Sequence, residues 1–250
     1  MLSPRYYNLI YHCEGGQPDP GVVSVQYGTK LQRPAEDPKL QYHVFDNWYT
    51  TKSYNQLFDF NQTMPDHDLP VYAHFTLQSY EIKFDPKGGS GSFPVQYKTY
   101  KQTVDKPENP KLEGNTFVGW SPTNSPDDLW IFENTVTGDM TLSAIYTVNS
   151  YTLSFNSNGG TEVQPKSYDY GSGVEKPKPD PERTGYIFDC WCEDIALKKP
   201  VDFNSFTMPA KNITFYARWT AKQHSVTFKD SQDESVLGTG TVYFDDKVTK

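Results

Sequence analysis

The sequence predicts a mainly β fold with little helix, built as a tandem array of small modules. Two observations carry that reading. Landmark residues recur at one spacing, and runs of strict apolar–polar alternation recur with them. Trp48, Trp120 and Trp191 are 72 and 71 residues apart. Gly16, Gly89 and Gly160 are 73 and 71 apart, and Ala73, Ala144 and Ala217 are 71 and 73 apart. Three independent landmarks in one register mark an internal repeat, and self-similarity of this kind decides fold class before any local reading.

Each module opens with a period-2 run, the mark of a half-buried strand. Tyr7, Leu9 and Tyr11 share a face in the first module, Tyr80, Ile82 and Phe84 in the second, and Tyr151, Leu153 and Phe155 in the third. The partial fourth has His224, Val226 and Phe228, with His224 expected to pack as the tyrosines do. The first strand meets Gly15-Gly16, Gly88-Gly89 or Gly159-Gly160, and paired glycines suit a hairpin because glycine takes positive φ without steric cost. The fourth module has Ser231-Gln232 there and needs another turn. A second strand ends near Tyr27-Gly28, Tyr100-Lys101, Tyr170-Gly171 and Phe244-Asp245. Prolines follow, at 34 and 38, 107 and 110, then 177, 179 and 181. Proline fixes φ and removes a donor, so this joint is neither a ladder strand nor a long helix. A third strand carries Phe45, Phe117 or Phe188, with tryptophan three residues on. The last strand shows Val71-Ala73-Phe75, Leu142-Ala144-Tyr146 and Phe215-Ala217-Trp219 on one face.

Those residues resemble the Listeria–Bacteroides repeat, the internalin B-repeat type. The resemblance rests on Phe155-x-x-x-Gly159-Gly160, Gly185-Tyr186-x-Phe188-x-x-Trp191 and Ile213-Thr214-Phe215-Tyr216-Ala217-Arg218-Trp219-Thr220. It covers nearly the whole chain, and is weakest in the first module, where Tyr42-His43 replace the Gly-Tyr pair. It implies small β-grasp-like modules in tandem, on secreted or surface-anchored bacterial proteins. The expected modules are 1–76, 77–148 and 149–221, with 222–250 a partial fourth limited to its first hairpin. Val248-Thr249-Lys250 aligns there with Val174-Glu175-Lys176. A hairpin alone is marginally stable. This one is expected to dock on the third module, to be disordered, or to belong to a longer array. The joints Thr76–Ser79, Val148–Ser150 and Ala221–Gln223 are short, so neighbouring modules should touch and the array should be elongated.

Composition narrows the partners. The net charge is −8, which argues against nucleic acid, since that surface needs clustered Lys and Arg. No run of 18 apolar residues is present to span a membrane, and Met1-Leu2-Ser3-Pro4 has no signal-peptide core. An extracellular location at the bacterial surface is therefore implied by the resemblance alone, with export signal and anchor outside this segment. Cys13, Cys190 and Cys192 are too few and too scattered for a disulfide framework, and are expected to be inert thiols.

Catalytic and metal chemistry has no sequence support. None of the five histidines is spaced three or four from another, as a helical zinc pair requires. Asp66-His67-Asp68 reads as a solvated turn, and Asp230–Glu234 lacks the spacing of a calcium loop. Gly88-Gly89-Ser90-Gly91 lies in a hairpin with no helix to bind phosphate. The expectation is no enzyme and no cofactor. Two roles stay open. One is a stalk or spacer displaying other domains. The other is adhesion to a host or microbial protein or glycan, through aromatic loops or a sheet edge. The candidate contact residue is Trp130, in an acidic loop, with Phe58 and Val201 in the same region of the other modules. Trp48, Trp120 and Trp191 are expected in the core.

Overall fold

The computed structural model describes residues 3–246. Met1-Leu2, and with them part of the expected N-terminal reading, lie outside the described residues, as does the Val248–Lys250 match of the fourth module. Among the described residues the chain forms strands and turns and no helix. In order they are β1 (Tyr6–His12), β2 (Val22–Gln26), β3 (His43–Tyr49), β4 (Leu69–Leu77), β5 (Ser79–Asp85), β6 (Gln96–Thr99), β7 (Asn115–Ser121), β8 (Met140–Val148), β9 (Ser150–Asn156), β10 (Lys166–Asp169), β11 (Tyr186–Cys192), β12 (Ile213–Ala221), β13 (Gln223–Lys229) and β14 (Val236–Tyr243).

Three four-stranded sheets repeat one order: β2-β1-β4-β3, β6-β5-β8-β7 and β10-β9-β12-β11. The central pair is parallel each time, with Leu9 facing Leu69, Ile82 facing Met140 and Leu153 facing Ile213. This is the mixed sheet expected of a β-grasp-like module, with an irregular proline-bearing crossing and no helix. β13 and β14 form a two-stranded sheet. Packing divides the chain into two compact units. Among the described residues one holds 3–87, 92–108 and 119–144, and the other 88–91, 109–118 and 145–246.

Each four-stranded sheet has its own core. Around Trp48 lie Leu9, Tyr11, Leu31, Phe58, Met64, Val71 and Ala73. Around Trp191 lie Leu153, Val174, Met208, Phe215 and Ala217. In the second module Tyr80, Ile82, Val104, Val136, Leu142 and Ala144 are buried, and Phe84 and Phe93 meet Trp120 edge-on at 5.0 and 5.3 Å. Edge-to-face rings suit the aromatic quadrupole and add to the area buried.

Strand period alone would put Phe45 and Trp48 on opposite faces, since they are three apart. A bulge resolves this. The register with β4 shifts between Phe45 and Asn47, so that Phe45 faces Phe75 and Trp48 faces Ala73, both inward. The same shift falls between Phe188 and Cys190. One extra residue is what a bulge inserts, and it re-aims every later side chain. The extra residues, Asp46 and Asp189, stay exposed and each meets a side chain of the neighbouring strand: Asp46 Oδ2 lies 3.0 Å from the His74 imidazole Nδ1, and Asp189 Oδ2 2.6 Å from the Arg218 guanidinium Nε.

The paired glycines do two jobs where one was expected. The first of each pair has positive φ, +92° at Gly15 and +87° at Gly159. The second makes room: a Cβ on Gly16 would stand 2.6 Å from Phe75 Cζ, and one on Gly160 2.5 Å from Trp219 Cζ2. The fourth hairpin departs from its expected packing. His224 is exposed: among the described residues β13 pairs with β14 alone, and the rest of a module that would fold over that face is not part of this hairpin.

Candidate functional site

The surfaces repeated with the period are the module ends. A single residue separates consecutive modules: Gln78 between β4 and β5, Asn149 between β8 and β9, Lys222 between β12 and β13. Each is bonded on both sides. Its N–H donates to the turn before the preceding module's third strand: Gln78 to the Tyr42 carbonyl, Asn149 to Gly114 and Lys222 to Gly185, all at 2.9 Å. Its carbonyl accepts from the aromatic that ends the following module's second strand: Tyr100 at 3.3 Å, and Tyr170 and Phe244 at 2.9 Å. A linker held at both its donor and its acceptor has little rotational freedom, which is the opposite of a flexible tether.

The aromatic then lies on the turn. Tyr42, Gly114 and Gly185 all have positive φ, at 62°, 66° and 80°. A Cβ on Gly114 would come within 2.1 Å of Tyr170 Cγ, and one on Gly185 within 2.2 Å of Phe244 Cδ1. Glycine is therefore required twice over, for its φ and for the ring on top. Tyr42 keeps a side chain in that left-handed position and stacks flat on Tyr100, with centroids 3.6 Å apart and planes 7° apart. At the last joint Tyr186 adds an edge contact to Phe244 at 5.6 Å and donates its hydroxyl to Asp245 at 2.6 Å. These contacts set the described part of the fourth hairpin against the third module.

Trp130 is half-buried. Its N–H donates to the Trp120 carbonyl at 2.7 Å, as Phe58 does to Trp48 and Val201 to Trp191 at 2.9 Å. Its indole nitrogen is shielded from solvent and has no hydrogen-bond partner. The loop thus returns along β7, and little of this ring faces outward.

The outward face of the first sheet is distinctive. His12 stacks on Tyr72 at 4.6 Å, and Tyr54 and Tyr49 close on His74 at 4.3 and 5.6 Å. At the matching register the third sheet places Asn156, Tyr216, Cys192 and Arg218. The Asp46 carboxyl is held below the usual carboxylate range by the Tyr49 hydroxyl, then by His74. The sequence reading located the joints and expected modules to touch there, but missed this cluster and the aromatic-on-turn contact that makes each joint. Strand registers were needed for the first, but the periodic aromatic at 27, 100, 170 and 244 was a visible signal for the second.

The thiols are free, with Cys190 and Cys192 sulfurs 3.8 Å apart. Burial, then a hydrogen bond to Asp19, pushes the Cys13 thiol up to about 12 from 9.0. Burial, then Cys190, pushes Cys192 to about 11. Raised thiols favour the neutral form, so their contribution to stability is intact below about pH 9 and lost as pH climbs toward 11 to 12. At pH 8 an uncharged alkylating reagent should label Cys190 in the folded chain and spare Cys13 and Cys192 until denaturant is added, as read by mass spectrometry. Fast labelling of Cys13 in the native chain would contradict its burial. Among the described residues no group of three or more His, Cys, Asp or Glu is placed to hold a metal ion, and no helix is long and apolar enough to cross a membrane.

Comparison with known proteins follows the three sheets. Residues 7–74, 80–145 and 151–218 each match the Listeria-Bacteroides repeat domain. Of the relatives, a protein of Evansella cellulosilytica named as a Gly-rich membrane protein is 31% identical over 223 residues, covering 89% of this chain and 25% of its own length. A second, named as a membrane protein of the same organism, is 29% identical over 230 residues, covering 92% of this chain and 34% of its own. Internalin H of Listeria monocytogenes is 31% identical over 181 residues, 69% of this chain and 32% of its own. The chain thus spans between a quarter and about a third of these relatives.

Proposed function

The chain belongs to the Listeria–Bacteroides repeat family, and from that premise we propose that it is a non-catalytic spacer in a bacterial cell-surface or secreted protein, holding other domains at a distance. The observation that carries the reading is the one-residue linker bonded on both sides at all three joints. Repeats that touch only their neighbours build length without needing a pocket. The envelope location is supported by relatives named as membrane proteins and as an internalin.

Adhesion is the second reading. The feature in its favour is the His12, Tyr49, Tyr54, Tyr72 and His74 face of the first module, where stacked rings offer a platform for a sugar or peptide. Trp130 is the other contact proposed for it.

A replacement experiment in the parent protein separates the two. Exchanging residues 77–148 for an unrelated rigid module of equal length preserves the parent's surface display if the segment is a spacer, while deleting them reduces it. The full chain and its Trp130→Ala and Tyr54→Ala variants are screened in parallel on glycan arrays and whole cells. Binding by the parent chain that is lost in either variant would overturn the spacer reading in favour of adhesion.

A further inference from the structure

We propose that Cys190 and Cys192 form a thiol–disulfide exchange site on the third module, at which Cys190 captures a disulfide-bearing co-reactant and Cys192 resolves it. Such a site is compatible with a spacer or an adhesive segment, and depends on neither.

Taken singly, each cysteine is an inert thiol. The register of β11 changes that. Cys190 pairs with Arg218 and Cys192 with Tyr216, so the two share the face opposite Trp191, which lies in the core between them. Alternate residues of a strand are about 6.6 Å apart along the backbone. The two sulfurs stand only 3.8 Å apart, so both side chains are turned toward each other. At the matching positions the first module has Asn47 and Tyr49, and the second has Gly119 and Ser121. Of the three four-stranded sheets, only this one carries the pair.

The two thiols differ in access. Cys190 is half-buried, while Cys192 is 0% exposed. Cys190 is therefore the one a co-reactant meets, and Cys192 reaches only what Cys190 has already captured. The Cys192 thiol, pushed up by burial, fits that order, since it is a poor nucleophile toward reagents from solvent.

The step balances as an exchange. The Cys190 thiolate attacks one sulfur of the co-reactant, whose S–S bond breaks, and one half leaves as a thiolate that takes up a proton. Cys192 gives its proton to solvent and its thiolate attacks the Cys190 sulfur. The mixed disulfide breaks, the second half leaves and is protonated, and a bond forms between the two cysteines. Two thiols of the protein are oxidised, and one disulfide of the co-reactant is reduced to two thiols.

Local geometry makes the closed form labile. A disulfide holds its Cβ atoms about 3.5–4.5 Å apart, well inside the strand spacing, so closure has to pucker β11. Asp189, the bulge residue, immediately precedes the pair, and β11 lies at the edge of its sheet with β12 as its ladder partner. The pucker falls where the strand is already irregular. A bond that works against the strand is easily reopened, so the site exchanges and does not staple.

Glutathione disulfide is the probe. The full chain is incubated with it in excess, quenched in acid, alkylated in denaturant and mapped by mass spectrometry. The expected product has lost two hydrogens, holds no glutathione and carries the alkyl label on Cys13 alone. Reduced glutathione at equal concentration should reopen it and restore label at Cys190 and Cys192. Cys192→Ser should arrest the reaction with one glutathione on Cys190, and Cys192→Ala repeats that arm should serine disturb the buried position. Cys190→Ser should leave Cys192 a free thiol over the same time. The wild-type arm requires no variant to fold. A wild-type chain that keeps both thiols free, or that holds glutathione on Cys190 without closing, would overturn the proposal. So would a closed bond that equal reduced glutathione fails to reopen.

Discussion

Trp191→Ala lowers the stability of the third module by about 3–5 kcal/mol, the range for removing a buried tryptophan side chain. The ring is 1% exposed and packs edge-on against Phe155 at 4.9 Å, with Phe188 tilted at 5.5 Å. Removing it takes away about 200 Å² of contact, worth roughly 5 kcal/mol at 25 cal/mol per Å². One term works in the other direction. The indole nitrogen is buried without a partner, and deleting it relieves a desolvation cost of about 1–3 kcal/mol. The burial term wins. A module of this size has on the order of 5–10 kcal/mol in total, so the loss leaves it unfolded or nearly so at ordinary temperature. Denaturant unfolding followed by amide exchange should show β9–β12 losing protection while β1–β4 keep theirs. An unchanged midpoint would show that the third module does not depend on this ring.

Gly114→Ala destabilises its joint by about 2–5 kcal/mol, from two sources. A non-glycine residue at φ +66° costs about 1–2 kcal/mol, and forcing a methyl against Tyr170 costs about 1–3 more. Gly171→Ala separates the two terms. Its φ of +76° is similar, but its added Cβ would meet open space, so only the backbone term remains. Gly114→Ala combined with Tyr170→Ala should recover most of the difference, as a double-mutant cycle would reveal. Equal losses for Gly114→Ala and Gly171→Ala would show that the ring does not press on the turn. Tyr42 already shows the other solution, in which the strain of a left-handed side chain is offset by a flat stack on Tyr100.

Much of the fold is readable along the chain because its signals are local. Leu9, Tyr11, Ile82 and Leu153 lie inward as the alternation requires, and so do Trp48, Trp120 and Trp191. The proline-bearing joints contain no helix and no long strand, for the reason proline gives in any chain. The surfaces proposed to matter are less readable. Trp130 stands out in the sequence as an aromatic among acids, yet its place is set by a backbone bond to Trp120 that no spacing announces.

By itself the sequence determined the period, the strands and the inward tryptophans, since each follows from side-chain alternation and turn chemistry within a few residues; the family rested on the resemblance of its landmark motifs. Only the tertiary structure decided that Asp46 and Asp189 bulge outward so that phenylalanine and tryptophan can share a face. It alone decided that Gly16 and Gly160 yield space to a ring about sixty residues away, and that Tyr170 and Phe244 lie on the left-handed turns at Gly114 and Gly185. Those features depend on contacts between segments far apart in the chain, where neither periodicity nor propensity carries information.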